Sequence, residues 1–306
     1  MFSQKNLHFN ERTLLAVGVP ASRSAKDRLR GRFCLFLAFC LLLLSLSVAQ
    51  AQVTEEWVAR YNGPGNGDDN AGHIAVDASG NVYVTGTSPG SGTGNDYLTI
   101  KYDPNGNQLW EARYNGPANS NDTASALAVD ASGNVYVTGQ SNGSGTANDY
   151  ATIKYDSNGN QLWVARYNGP GNEYDFGQAL AIDASGNVYV TGFSDNIWHA
   201  YDYATIKYDT NGNQLWVARY TNQATDYAYA IAVDSSGNVY VTGGSQASGT
   251  GYDYTTIKYD TNGSQLWVRR YNGSVNGGDF GQDVAVDSSG NVYVTGYSPG
   301  SGTGLD

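Results

Sequence analysis

The sequence predicts an all-β chain folded as a β-propeller of about five four-stranded units, and three observations carry that expectation. The heptapeptide Gly-Asn-Val-Tyr-Val-Thr-Gly recurs at Gly80, Gly133, Gly186, Gly237 and Gly290, a spacing of 51–53 residues. Self-similarity at a period near 50 residues marks stacked supersecondary units that bury their apolar faces only against one another. Within each unit, short alternating apolar and polar runs are separated by Asp, Asn and Gly clusters, and nothing after Gln52 shows helical periodicity.

In chain order, residues 1–51 stand outside the repeat. Arg23, Lys26, Arg28, Arg30 and Arg32 lead into the apolar run from Phe33 to Val48, and Ala49-Gln50-Ala51 supplies small residues at minus three and minus one. This pattern predicts a cleaved signal peptide over 1–51, with export and a mature chain starting at Gln52. Both cysteines, Cys34 and Cys40, lie in that segment, so no disulfide is expected in the mature chain. Beyond it, ten Lys and Arg face 26 Asp and Glu, a net charge of −16 over 255 residues. Such acidity makes nucleic acid an improbable partner, and no membrane insertion is expected once the signal is removed. The mature length is enough for one large β domain over 52–306.

That domain divides into units of about 55–107, 108–160, 161–213, 214–264 and a partial 265–306. The first shows the pattern, with strands expected at Gly72–Val76, Asn81–Gly86, Asp96–Tyr102 and Gln108–Tyr114. The stretches from Asp77 to Asn81 and from Asp103 to Asn107 carry tight-turn chemistry: Asp and Asn bond their own backbone, and Gly accepts positive φ. Motifs such as Ala-Val-Asp-Ala-Ser-Gly-Asn-Val-Tyr-Val-Thr-Gly (Ala128 to Gly139) and Asp-Tyr-Ala-Thr-Ile-Lys-Tyr-Asp (Asp149 to Asp156) resemble the SBBP family of β-propeller repeats. The resemblance covers essentially all of Glu55 to Asp306. It implies an exported propeller without a defined reaction, with first strands around the axis and Trp-bearing strands outermost. Asp306 corresponds to Asp96, where a third strand begins. The fifth blade is therefore expected to be incomplete, either because the propeller continues beyond Asp306 or because an N-terminal strand, Glu55–Tyr61, completes the fifth blade as a closing clasp with a third strand still absent.

Four groups of side chains could carry chemistry. Trp57, Trp110, Trp163, Trp216 and Trp267 recur in register and are expected to pack between blades. Recurrent Arg113, Arg166, Arg219 and Arg270, and Lys101, Lys154, Lys207 and Lys258, are expected to pair with acids across strands or to lie over tyrosine rings. Asp69, Asp122, Asp175 and Asp226 precede first strands, and Asp96, Asp149, Asp202 and Asp253 follow the variable loop. These carboxylates offer the hard oxygen ligands of Ca²⁺, against the alternative that they fix loop N–H groups. Deviations from the repeat are mostly aromatic: Trp198, His199, Tyr201, Tyr174 and Tyr227 form a candidate ligand site, with Phe176, Tyr229 and Phe280 nearby. No catalytic motif stands out.

The expected function is an extracellular or cell-surface binding or scaffold module for a protein or glycan. The alternative is an extracellular polysaccharide hydrolase or lyase using a carboxylate pair such as Asp175 and Asp202.

Overall fold

The computed structural model describes residues 54–306, apart from 223 and 303; the leader expected over 1–51 lies outside the described residues. The described residues form sheets joined by turns and contain no helix. Sheet 1 consists of β1 (Asn70–Val76), β2 (Val82–Pro89), β3 (Asn95–Tyr102) and β4 (Gln108–Tyr114), paired antiparallel in chain order. Sheet 2 repeats this as β5 (Asp122–Val129), β6 (Val135–Asn142), β7 (Asn148–Tyr155) and β8 (Gln161–Tyr167). Sheet 3 holds β9 (Asp175–Ile182), β10 (Val188–Asp195), β11 (Tyr201–Tyr208) and β12 (Gln214–Tyr220). Sheet 4 holds β13 (Asp226–Val233), β14 (Val239–Ala247), β15 (Gly251–Tyr259) and β16 (Gln265–Tyr271). The fifth unit pairs β17 (Phe280–Val286) with β18 (Val292–Tyr297), then the short β19 (Pro299–Gly300) with β20 (Gly304–Leu305). The first strand of each sheet neighbours the first strand of the next, as blades sharing a hub require.

One turn per blade shows why the heptapeptide recurs. Asp183 Oδ1 accepts the N–H groups of Ser185 and Asn187, both at 2.9 Å. Its Oδ2 accepts Asn187 Nδ2 at 2.7 Å and the Tyr189 hydroxyl at 2.9 Å. The carboxylate thus closes the turn and pins the first buried tyrosine of the following strand. The last glycine answers a different need. Each first strand carries a bulge, in sheet 3 between Ala179 and Gly177, and a Cβ on the facing Gly192 would collide with the Phe176 carbonyl.

Successive sheets meet in one repeated seam. At the junction of sheets 2 and 3, Trp163 lies between Tyr136 and Tyr208, with ring centroids 6.2 and 6.3 Å away. Trp163 Nε1 donates to the Thr210 carbonyl at 3.1 Å, Tyr150 Oη to Ala204 O at 3.2 Å, and Lys154 Nζ to Thr210 O at 3.3 Å. The Lys154 ammonium also lies 5.0 Å from the centroid of the Tyr136 ring. Val188, Val190, Ala204 and Ile206 fill the space behind with no exposed surface. The tryptophans therefore pack between blades and the lysines lie over tyrosines, as the sequence led us to expect.

The array is open. Ile74 and Val76 stay exposed on the outer face of sheet 1, and Tyr293 in the fifth unit is 58% exposed where Tyr83, Tyr136, Tyr189 and Tyr240 are buried. Residues 55–61 form no strand and lie on sheet 1, with the Trp57 ring 5.8 Å from Tyr102 and Nε1 bonded to Pro104 O at 3.1 Å. Trp57 thereby occupies, against sheet 1, the position that Trp110 occupies against sheet 2.

Candidate functional site

The recurrent acids sit where the strands approach the variable loops, and most of them are buried. Asp96, Asp149, Asp202 and Asp253 pair with Arg113, Arg166, Arg219 and Arg270 of their own sheets at 2.8–3.2 Å. The Arg166 fork also bonds the Ser141 hydroxyl at 2.6 Å, the Ser141 carbonyl at 2.7 Å and the Tyr114 hydroxyl of sheet 1 at 2.9 Å. The companion acids cap the preceding loop: Asp69, Asp122 and Asp175 accept the N–H of Gly63, Gly116 and Gly169, and Asp226 accepts that of Asn222, at 2.6–2.9 Å. Among the described residues, no three His, Cys, Asp or Glu side chains gather in a metal-holding group. A guanidinium supplies the positive charge beside each ion-paired acid, while the second carboxylate oxygen, Oδ1, of Asp96, Asp149 and Asp253 is buried without a hydrogen-bond partner.

Burial leaves a titration signature in this layer. It pushes the carboxyls of Asp175 and Asp226 up to about 6, against hydrogen bonds from Gly169 and Ser194 at the first and from Ser245 and Asn222 at the second. Burial raises Asp122 as well. The shift recurs in sheets 2, 3 and 4 and so does not mark one distinguished site.

What differs between blades lies one residue further along. The first and second strands face each other there as Asn70 with Thr87, Thr123 with Gln140, Phe176 with Phe193, Tyr227 with Gly244, and Phe280 with Tyr297. A single register position is thus polar in two blades and dominated by rings in three. Phe193 touches both Phe176 and, across the seam, Tyr227, with centroids 4.9 Å away in each case. Tyr201 lies 5.2 Å from Phe193 and 5.7 Å from Tyr227. The run continues from Tyr227 to Tyr252 at 5.8 Å, to Phe280 at 4.8 Å and to Tyr297 at 5.3 Å. Gly244 leaves room for the incoming ring, since a Cβ there would strike Phe280. Tyr229 joins from the bulge of β13, 6.3 Å from Tyr227, and Tyr174, 49% exposed, stacks on Phe176 at 6.2 Å.

Of the candidate ligand residues, Tyr174, Tyr201 and Tyr227 fall in this strip. Trp198 and His199 do not; they tip the neighbouring β10–β11 turn. Asn196 Oδ1 accepts the Trp198 N–H at 2.8 Å, His199 has φ 57°, and its Nδ1 lies 3.3 Å from Asp195 Oδ2. Trp198 is left 81% exposed. Sequence reasoning missed Phe193, Tyr252 and Tyr297. The signal was present in the residue after each heptapeptide, which runs Thr87, Gln140, Phe193, Gly244, Tyr297.

Fold and rim together define a propeller repeat protein whose blades share one seam and diverge along one edge. The chain belongs to the SBBP family, described as a beta-propeller repeat, whose family model matches residues 56–92, 112–145, 162–197, 215–249 and 266–302. It is also similar to an uncharacterized WD repeat-containing protein of Acanthamoeba polyphaga mimivirus, at 28% identity over 163 residues. That match covers 47% of this chain and 11% of the viral protein, so the chain spans about a tenth of that relative's length.

Proposed function

We propose that this chain is an exported binding or scaffold module, displayed outside the cell or on its surface, that recognises its partner through the aromatic rim of sheets 3–5. The observation that carries the reading is the register position filled by rings in three blades and by polar residues in the other two. Rigid strands hold those rings partly exposed, and clustered aromatic anchors on rigid scaffolds dominate recognition energetics. Export rests on the leader pattern of residues 1–51. The test expresses the full chain behind its own leader, sequences the N-terminus of the released protein, and measures its retention on washed cell envelopes. Release starting at Gln52, with retention lost in Tyr174→Ala and Tyr201→Ala, supports the proposal; undiminished retention in both variants removes the rim from it.

The enzymatic alternative draws on Asp175, whose raised pKa suits a general acid. Three observations weigh against it. Asp175 has no exposed surface, Asp226 shares its elevation, and Asp202 is held by Arg219 at 2.9 Å and Asn196 Nδ2 at 2.9 Å. Release of reducing ends from a polysaccharide by the native chain, abolished in Asp175→Asn, would restore it.

A further inference from the structure

Resting on the binding role proposed above, we infer that the rim takes an uncharged oligosaccharide, its ring faces lying along the aromatic strip and its hydroxyls meeting the polar arc of sheets 1 and 2. The argument starts from what the rim lacks. No charged side chain occupies the varying register pair in any blade, and the two blades without rings carry amides and hydroxyls: Asn70 and Thr87 in one, Thr123 and Gln140 in the other. Uncharged donors and acceptors beside aromatic faces match a ligand with one apolar ring surface and many hydroxyls. They match a polyanion poorly, because it would meet a mature chain of net charge −16 with no rim cation to receive it.

Size narrows the choice further. From Tyr174 to Tyr297 the path runs in six ring-to-ring steps of 4.8 to 6.2 Å through three sheets, longer than one sugar ring can cover. The occupant is therefore a chain of several residues. The bulge of β13 adds Tyr229 to the strip, whereas the equivalent bulge positions hold Gly72, Ser125, Gln178 and Gln282 in the other blades.

The test is affinity electrophoresis of the exported protein through gels containing mixed-linkage β-glucan, xylan or galactomannan, with polygalacturonate as the acidic control. At least one neutral polymer is expected to retard the native protein, and polygalacturonate is not. Tyr174→Ala, which removes the end ring without opening the core, is expected to weaken retardation about tenfold. A Thr123→Ala/Gln140→Ala pair should weaken it by a similar factor with an unchanged thermal midpoint. Retardation by neutral polymers that neither variant alters would overturn the placement. Envelope retention that depends on Tyr174, with no retardation by any neutral polymer, would overturn the ligand class while leaving the binding role standing. Retardation by polygalacturonate alone would overturn the charge argument.

Discussion

Gly212 offers a sharp test of the seam. It lies in the turn between β11 and β12 with φ +84°, and a Cβ built there would sit 2.7 Å from Cδ2 and 2.9 Å from Cγ of Trp163, the ring that enters from sheet 2. Two costs follow from Gly212→Ala. A left-handed non-glycine residue costs about 1–2 kcal/mol, and forcing a methyl into a packed, rigid indole adds about 1–3 kcal/mol. The expected loss is therefore about 2–5 kcal/mol. Gly145→Ala separates the two: its φ is +92° and nothing lies within 4 Å of the added Cβ, so only the backbone cost applies. Equilibrium urea unfolding followed by tryptophan fluorescence measures both, and hydrogen exchange should place the G212A loss in sheets 2 and 3. If G212A is no less stable than G145A, Trp163 does not rest on this turn and the seam described above is wrong.

Further predictions concern the buried charges. Asp175 and Asp226 hold their proton more tightly folded than unfolded, so their contribution is fully present below the ordinary carboxylate pKa and is lost as pH rises through about 6. At Asp183, burial raises the pKa but the turn hydrogen bonds outweigh it and leave it lowered, as at Asp130 and Asp234, so these three lose their contribution as pH falls through the acid range. Calorimetry should show a thermal midpoint that declines between about pH 4 and 7, and Asp175→Asn should flatten that decline. Arg166→Ala should cost about 3 kcal/mol in urea unfolding, because it strands the buried Asp149, and Arg166→Lys should recover only part of it for want of the planar fork. Tyr189→Phe should cost about 1.5 kcal/mol by removing its bond to the Asp183 carboxylate, whereas Tyr174→Phe should fall within about 0.5 kcal/mol of native.

Much of the architecture was readable before any coordinates because the same local chemistry recurs in each unit. The strand expected at Gln108–Tyr114 is the strand observed, and the Asp103 to Asn107 turn closes as its residue types require. The first strand begins earlier than expected, at Asn70 rather than Gly72, because the ladder continues through a bulge that no pattern of alternation reveals. The rim was readable only in part. Tyr174 and Tyr227 stood out as departures from a repeated sequence, but Phe193 joins them through cross-strand register and Tyr252 through a seam, and both depend on how sheets face one another. The pairing of the recurrent arginines with acids across strands was expected, but which acid each one takes required the register of Leu98 with Arg113 and its counterparts.

The sameness of the seams has a kinetic consequence. Equivalent strands of different blades present almost the same side chains, so a nascent strand meets several partners of nearly equal affinity, and mispaired or swapped blades are the characteristic failure of such repeats. The five-residue connection from β1 to β2, and its equivalents, counter this by making the correct neighbour the first one encountered. Each blade can then close on itself as it emerges, before a look-alike competitor has been synthesised.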